Sequence, residues 1–558
     1  MRHLYAGSKT YLLALLGRPW FVYGFLSLAL LAPLLKRGYI LTLDMVFTPS
    51  LRMPAFGSND YLFRVLLHVL SGVLPSDIIE KGVLLAILLL SGIGMYRLAC
   101  SIQRTDTPFY LFSVYMAGIF YMVNPFTYDR FMAGQYEVLL GYALLPWFTR
   151  RLLQFLSSPN IKHAFWLSAL AVAISIVSIH DIGLMAVLAF VLLAGKLWQQ
   201  RANKVWLARV LKFGVCSIGL WVMASSYWLV PLILGKGSVA TQISSISSSD
   251  QSAFVTVGGS SLGRFGNVIR LQGFWAESYN LYKLPQAQIH AWGLISLVVW
   301  LLVIIGGVSL WRAREHLLVA AFVLSAAIAT AIALGALNGW PLAHLPFLAG
   351  YREPQKFVAL VALVYAVFIA RGIAVSAAYC RLHGGRVIAA VLILAIALLP
   401  LAWTPTMINS FAGQLKPARY PADWYVVNAR LNSDSSNFQT LFLPWHLYMS
   451  FNFEGRIIAN PAKLFFDKPV IVSDNPEFRG AALANTTAAK RQLDRLLPKA
   501  EQASNFGAEL ASLHVKYIVV DHDDSYQDYT DLRHRSDMQI VMRGATLDVY
   551  RNEKYGEG

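Results

Sequence analysis

One carboxylate stands within an apolar stretch near the start of the chain. Asp44 lies in LTLDMVFTPS (41–50), which follows directly on the apolar run 21–35. An ionisable side chain at such a depth is costly, so it is a functional candidate if the chain is embedded in a membrane. Apolar neighbours would partly desolvate the Asp44 carboxylate, which would favour a role as a general base. A turn or cap before Pro49 is the structural alternative, and the residues alone leave both open.

A second candidate lies in NPFTYDRFMAG (124–134). Asn124 can cap a short helix whose first residue is Pro125, and this would place Asp129 and Arg130 at the helix end. Arg130 is a candidate for binding a phosphate. Asp129 is a candidate for supporting the site or for contacting a molecule that accepts a transferred group. The alternative is a helix at the membrane interface with Asp129 and Arg130 as a surface pair.

The segment GYREPQKF (350–357) suggests a site for an anion. Pro354 begins an apolar run, and Arg352, Glu353 and Lys356 surround the amino end of the helix, where the helix dipole favours negative charge. Arg352 and Lys356 are therefore candidates for holding a phosphate, with Glu353 in support. The alternative is an ion pair between Arg352 and Glu353 that anchors the loop.

His180 and Asp181 interrupt two apolar runs, and we expect them in a tight turn as supporting residues. Two adjacent residues are too few to define a metal site, because zinc or manganese needs more ligands. A divalent cation, Mg²⁺ or Mn²⁺, held by Asp44, Asp129 and Asp181, stays open as an alternative. Together these residues have the makings of a group-transfer site, with carboxylates to accept a proton and basic side chains to hold a phosphate leaving group.

Composition decides the class of protein that must position these residues. Of the 558 residues, 56% are apolar and 14% are charged, against roughly 45–50% and about 25% in soluble globular domains. The chain is therefore a polytopic membrane protein. The net charge of +17 arises before residue 404, where 30 Lys and Arg accompany 12 Asp and Glu. Membrane topology explains that excess, so no nucleic acid partner is expected.

Apolar runs predict about eleven membrane spans. They lie near 20–35, 82–100, 109–123, 137–149, 163–179, 182–197, 207–234, 290–310, 317–337, 356–378 and 387–403. Lys and Arg cluster at every second connection, which predicts a cytoplasmic amino terminus, and an odd number of spans then puts the tail outside. The predicted location is the plasma membrane, in contact with its lipids.

Two domains are expected. Residues 1–403 form the membrane domain, with outward loops at 36–81 and 235–289, and residues 404–558 form an extracytoplasmic α/β domain. Within the first loop, 61–74 has the spacing of a helix lying in the membrane interface. The Ser- and Gly-rich first half of the second loop is a candidate gate.

In the tail, hydrophobic patterning predicts two helices and three strands. The helices are 421–431 and 488–497, the strands are 438–444 and 514–524, and 545–552 is predicted as an edge strand.

This organisation resembles the GT-C class of polyprenyl-phosphate-sugar glycosyltransferases. NPFTYDRFMAGQYEVLLGYALLPW, GYREPQKF and ELASLHVKYIVVDHD look like bacterial YfhO-type membrane proteins and, more distantly, mycobacterial arabinofuranosyltransferases. The resemblance implies a sugar donor on a polyprenyl phosphate, a glycan, lipid or protein acceptor outside the cytoplasm, and Asp44 as the catalytic base. The chain departs from many members because no second acid adjoins Asp44, and Asp60 lies farther along the chain.

Two other classes of protein stay open. A lipid or polysaccharide transporter or flippase would also have many spans, but it should show repeat symmetry or charges at the middle of the membrane. A non-catalytic scaffold for envelope assembly would use the outer domain as its binding module.

Overall fold

The structure is a computed structural model. It describes residues 18–103, 108–237, 240, 254–259, 262–336, 351, 353–475, 477, 487–500, 503 and 505–556. The chain folds into a helical membrane part followed by a domain built around a β-sheet.

Helices account for nearly all regular structure up to Trp403. In chain order they are α1 (Pro19–Leu31), α2 (Tyr61–Ser71), α3 (Ser76–Ile102), α4 (Tyr110–Met122), α5 (Pro125–Met132), α6 (Tyr136–Ser157), α7 (Ile161–Val177), α8 (His180–Gln199), α9 (Lys204–Ile233), α10 (Gly263–Ile269), α11 (Pro285–Gln288), α12 (Trp292–Arg312), α13 (His316–Ala333), α14 (Val358–His383) and α15 (Gly385–Trp403). Short 3-10 turns at Ala32–Leu34, Trp275–Tyr279 and Pro354–Phe357 adjoin or separate them.

Each of the eleven predicted spans corresponds to one of these helices. Within the described residues, seven helices are long and apolar enough to cross a membrane: α3, α8, α9, α12, α13, α14 with its preceding 3-10 turn, and α15. The other four, α1, α4, α6 and α7, are shorter or less apolar. The chain is thus an integral membrane protein, and the count of eleven spans stays a prediction.

Helix α14 lies at the centre of the membrane part, with most of its residues buried. It packs very closely on α12. A Cβ atom on Gly306 would lie 1.9 Å from the carbonyl oxygen of Phe368, and one on Gly372 would lie 2.0 Å from that of Leu302. Glycine at both positions lets the two backbones touch, as small residues do in membrane helix pairs.

The tail contains a five-stranded sheet between helices. Its elements are α16 (Ala422–Ser433), β1 (Gln439–Leu443), β2 (Tyr448–Phe451), β3 (Arg456–Ala459), α17 (Ala462–Phe465), β4 (Val470–Ile471), α18 (Ala488–Leu496), α19 (Phe506–Ser512), β5 (Val515–Asp521), β6 (Met538–Arg543) and β7 (Leu547–Asn552). The strand order is β4-β1-β5-β7-β6, with β4, β1 and β5 parallel, and β2 with β3 forms a separate antiparallel pair.

The sheet corrects one prediction. The segment 545–552 is a strand, but β7 lies between β5 and β6 and is not at an edge. The two edges are β4 and β6, and neither was predicted as a strand. Pairing of β6 with β7 shifts register between Ile540 and Met542. The two predicted tail helices and the strands at 438–444 and 514–524 are confirmed. The division of the chain at residue 403 coincides with the end of α15 and stays a prediction.

The two predicted features of the outward loops differ in outcome. The helix expected at 61–74 is present as α2, while its position in a membrane interface stays a prediction. The predicted gate in the first half of 235–289 lies largely outside the described residues. The second half of that loop contains α10, α11 and the 3-10 turn Trp275–Tyr279.

The first loop joins the two parts of the molecule. Leu41 belongs to the apolar core of the sheet domain, together with Trp424 and Phe442, whereas Leu43 and Met45 belong to the core of the membrane part. Leu43 also forms a parallel bridge with Ile458 in β3, and its carbonyl accepts a hydrogen bond from the backbone N–H of Ala459 at 2.7 Å.

The predicted orientation can be tested with single cysteines. In a variant lacking the three native cysteines, cysteine at the exposed positions Ser50 and Ser433 should react with a membrane-impermeant thiol reagent added outside. Cysteine at the exposed positions Asn203 and Arg386 should react only after permeabilisation. Labelling is read by gel shift in whole cells. Reaction of Ser433→Cys only after permeabilisation would contradict an extracytoplasmic sheet domain.

Candidate functional site

A cavity of about 350 Å³ opens between the first loop, α2, the start of α6, the start of α8 and the 3-10 turn before α14. Most of its lining is polar. The polar and charged lining residues are Asp44, Ser58, Asn59, Asp60, Arg64, Gln135, Tyr136, Glu137, Ser178, His180, Glu353 and Lys356. Four of the predicted site residues, Asp44, His180, Glu353 and Lys356, are therefore brought together here.

Asp44 stands at the tip of a tight turn. Thr42 and Met45 exchange backbone hydrogen bonds of 3.1 and 2.7 Å across it, and the N–H of Asp44 donates to the carbonyl of Ala133 at 3.0 Å. Gly134, with a φ of +70°, makes this approach possible, because a Cβ atom there would lie 2.3 Å from the nitrogen of Met45. The backbone thus fixes the position of the Asp44 carboxylate at the cavity wall.

Neutral donors hold the Asp44 carboxylate. The hydroxyl of Tyr448 donates to one oxygen at 2.6 Å, and the side-chain amide of Gln135 donates to the other at 3.3 Å. The Asp44 side chain is exposed because it opens onto the cavity, so the desolvation that acts on it comes from the protein around that cavity. Desolvation raises the pKa of Asp44, and the nearby Glu353 carboxylate adds to this, while the bond from Tyr448 opposes it.

Arg130 is fully buried beside the cavity and does not line it. Its guanidinium donates to Glu353 at 3.2 Å and also to the side-chain oxygens of Gln135 and Gln355. It lies 4.3 Å from the ring centroid of Phe274. The alternative of a surface pair between Asp129 and Arg130 is therefore wrong, since both side chains are 0% exposed. The predicted helix cap is confirmed, because Asn124 accepts from the N–H of Thr127 at 3.1 Å.

Glu353 lies between two cations. Its Oε2 is 3.2 Å from Arg130 and 3.4 Å from the ammonium of Lys356. Lys356 is 6% exposed and faces the cavity. Arg352, predicted as its companion in phosphate binding, lies outside the described residues, as does the alternative ion pair between Arg352 and Glu353.

Asp129 and Asp181 are fully buried and lie outside the cavity lining. Asp129 faces Glu277; desolvation and the second carboxyl raise the pKa of Asp129, and desolvation raises that of Glu277 to about 7. Asp181 is the second residue of α8, so it is helical and not part of the predicted turn. It packs against Gly141 of α6, where a Cβ would lie 2.1 Å from its Oδ2.

The three carboxylates proposed for a metal are thus divided between a cavity wall and the buried interior. Within the described part of the chain, no three His, Cys, Asp or Glu side chains lie close enough together to hold a metal ion. Binding of Mg²⁺ or Mn²⁺ stays an untested prediction.

Three charged residues of the cavity were not predicted as site residues. Arg64 in α2 lies 3.3 Å from Glu137 and pairs with Asp60 one helical turn earlier. Asp60 lies in the predicted outward loop 36–81, and Glu137 is the first residue of the predicted span 137–149, so the available signal was an acid at or near the outer end of a span. Tyr448, the partner of Asp44, lies 404 positions along the chain, so nothing in its local sequence pointed to the cavity.

The structure is that of a polytopic membrane protein whose helical part is followed by a sheet domain. The structure matches that of the arabinofuranosyltransferase AftD from mycobacteria with a TM-score of 0.63 and 16% identity over 96% of this chain. A mutant form of AftD, R1389S class 2, matches with a TM-score of 0.60 and 14% identity over 95% of the chain. The resemblance to arabinofuranosyltransferases is therefore confirmed at the level of the fold.

The matched AftD structures are much longer proteins, because this chain spans 40% and 41% of their length. No protein-family model matches the sequence. No curated protein matches it either.

The buried pair of Arg130 and Glu353 gives a prediction about stability. Arg130→Met should lower the free energy of unfolding by about 3–5 kcal/mol, because it leaves a buried carboxylate with one cation fewer. Adding Glu353→Gln should recover part of the loss. Thermal unfolding of the purified protein measures both effects, with Arg312→Met at an exposed arginine as the control. Equal melting temperatures for Arg130→Met and the control would contradict the structural role.

Proposed function

We propose that this protein is an integral-membrane glycosyltransferase that moves a sugar from a polyprenyl-phosphate donor to a hydroxyl of an extracytoplasmic glycan, lipid or protein. One observation carries the proposal. A carboxylate, Asp44, and a basic side chain, Lys356, line one cavity of about 350 Å³ in a fold matched by an arabinofuranosyltransferase.

Asp44 is the proposed general base. An acceptor hydroxyl placed in the cavity would give its proton to the carboxylate as its oxygen attacks the anomeric carbon of the donor sugar. The bond from that carbon to the phosphate oxygen breaks in the same displacement, so a single step inverts the anomeric configuration. Because neutral groups hold Asp44, its charge stays available to attract the proton.

Lys356 is the proposed partner of the leaving phosphate. Its ammonium faces the cavity next to Glu353, where it can offset the charge that develops as the sugar departs. Arg352, four residues earlier, is proposed to share this task. Arg130 is proposed to act through its neighbours. It donates hydrogen bonds to Glu353 and Gln135. It thereby positions Lys356, which pairs with Glu353, and the Gln135 amide, which donates to Asp44.

The remaining candidates receive supporting roles. His180 lines the cavity and is proposed to bind a hydroxyl of the acceptor. Asp129 and Asp181 are proposed to pack behind the residues that line the cavity, since both side chains are buried. A divalent cation, if one takes part, would be held at Asp44 together with oxygens of the donor phosphate.

The first test is substitution of the base. Asp44→Asn keeps the size of the side chain but cannot accept the proton, so transfer should fall by roughly 10²–10⁴-fold. The measurement is release of free polyprenyl phosphate from a labelled lipid-linked sugar by purified protein, with donor binding measured in parallel. Donor binding should persist, because the phosphate is assigned to Lys356.

The matched control for this test is Asp531→Asn, an exposed aspartate of the outer domain. Unchanged turnover in Asp44→Asn, with a normal melting temperature, would contradict the assignment of the base. An absence of turnover in the parent protein with every polyprenyl-phosphate sugar tested would favour a transporter or a scaffold.

The second test uses the pH dependence of transfer. Tyr448→Phe removes the hydroxyl that stabilises ionised Asp44, so the pKa of Asp44 should rise further above its ordinary value. The reaction needs the ionised form. Transfer is therefore lost as pH falls through this pKa, and in the variant that loss should begin at a higher pH. Full pH–rate profiles of the parent and the variant measure the shift.

Tyr425→Phe serves as the control for the pH experiment, because Tyr425 is a half-exposed tyrosine of the outer domain. An acidic limb that stays at the same pH in Tyr448→Phe would show that Asp44 is not the group that titrates.

A further inference from the structure

Three side chains with complementary chemistry meet in the outer domain, away from the Asp44 cavity lining. His446 follows β1, Glu477 follows β4 and Ser525 follows β5. These strands are parallel neighbours in the order β4-β1-β5, so their carboxyl ends lie side by side. The crevice beyond the carboxyl ends of parallel strands is where α/β sheets place ligands and catalytic groups.

The contacts among the three residues form a continuous chain. Nε2 of His446 lies 2.9 Å from Oγ of Ser525, and Nδ1 of the same ring lies 2.9 and 3.0 Å from the two carboxylate oxygens of Glu477. A hydroxyl bonded to one ring nitrogen and a carboxylate bonded to the other is the arrangement that activates a serine nucleophile. All three side chains are partly exposed, so a substrate can reach them.

We propose that Ser525, His446 and Glu477 form a second catalytic site, which hydrolyses carboxylic esters independently of the sugar-transfer site. Oγ of Ser525 attacks the ester carbonyl while Nε2 of His446 accepts its proton. That proton then passes to the departing alcohol, leaving an acyl group on Ser525. Water attacks the acyl group with His446 again as base, releasing the carboxylic acid and restoring the serine.

The position of Ser525 also suits the charge that develops on the carbonyl oxygen. Ser525 directly precedes a nine-residue 3-10 helix, Tyr526–His534. The N–H of Tyr526 donates to the carbonyl of Asp523 at 3.3 Å, and that of Asp528 donates to the carbonyl of Ser525 at 3.1 Å. Within this first turn, the N–H of Gln527 is therefore the group proposed to donate to an oxyanion next to the nucleophile.

Charges around the site select the substrate. Asp523 accepts from the N–H of Asn452 at 2.9 Å, and Asp524 accepts from that of Ser450 at 3.4 Å, so both carboxylates border the loop that carries Ser525. An anionic ester would be repelled by these acids. The chemistry therefore fits an ester on an uncharged group, such as an acylated sugar hydroxyl.

A purely structural network of the same three residues makes different predictions. It would tie three loops together, so its loss would lower the melting temperature without any covalent chemistry at Ser525. A catalytic site should instead react with a serine-directed electrophile, because the histidine increases the nucleophilicity of the hydroxyl.

The test uses the full-length protein in detergent with two probes, an uncharged fluorophosphonate and p-nitrophenyl acetate. We expect a covalent fluorophosphonate adduct on the peptide that contains Ser525, and ester hydrolysis that disappears in Ser525→Ala. Glu477→Gln should reduce hydrolysis by roughly 10³-fold or more, because loss of the carboxylate that orients the histidine has an effect of this size in serine proteases. Ser512→Ala, at an exposed serine of the same domain, is the matched control and should behave like the parent.

The pH profile gives a readout that a structural network would not move. Glu477, Asp524 and Asp528 raise the pKa of His446 above its ordinary value, and Glu477 is the largest contributor. Hydrolysis needs neutral His446, so it should increase as pH rises through that raised pKa. Absence of an adduct at Ser525, or hydrolysis unchanged in Ser525→Ala, would overturn the proposal. Glycosyl transfer by Ser525→Ala should be normal in either case, so the two sites are tested separately.

Discussion

The buried carboxylate of Glu353 is the point on which the cavity depends. A charged group with 7% exposure is tolerated only with compensating charge and hydrogen bonds. Arg130 and Lys356 supply that charge from α5 and from the turn before α14. Arg130 in turn is bonded to Gln135, and Gln135 reaches Asp44. The position of the candidate base is thus tied, through one ion pair, to α14, the most buried of the seven long apolar helices in the described residues.

The sheet domain is attached to this arrangement through the first loop. Leu41 enters the core of the sheet domain and Leu43 the core of the membrane part, so neither can shift without opening an apolar contact. Asp44 lies directly after Leu43, and its carboxylate accepts from Tyr448, the first residue of β2. The sheet domain therefore directly affects the pKa of Asp44, because the hydrogen bond from Tyr448 stabilises the ionised carboxylate.

Sequence reasoning succeeded where the signal was local. The cap at Asn124, the helices at the eleven apolar runs and the strands β1 and β5 follow from neighbouring residues. It failed where a partner is distant. Arg130 was assigned to a surface pair in one interpretation because its partner Glu353 lies 223 positions away. No pattern within a few residues can report that contact.

The same limit applies to the edges of the sheet and to the three side chains that meet beyond the carboxyl ends of β4, β1 and β5. Strand β7 is amphipathic enough to be recognised, but its place between β5 and β6 is set by pairing. His446, Glu477 and Ser525 come from three separate loops. Only the parallel order of β4, β1 and β5 brings them together, and strand order is not encoded in the hydrophobic pattern of any one strand.

The charges of the cavity have a consequence for donor binding. Its lining includes four carboxylates, Asp44, Asp60, Glu137 and Glu353, and two cations, Arg64 and Lys356. Arg64 is paired with two of the carboxylates and Lys356 with a third. A phosphate entering beside Lys356 would therefore add negative charge next to Glu353 and Asp44. That charge must be offset by Arg352, which is proposed to share the phosphate with Lys356, by a cation that arrives with the donor, or by a proton. A proton gained by Asp44 would remove the base. Donor binding and the protonation state of Asp44 are thus linked. The negative charge of the donor phosphate disfavours ionised Asp44, and ionised Asp44 disfavours binding of the phosphate.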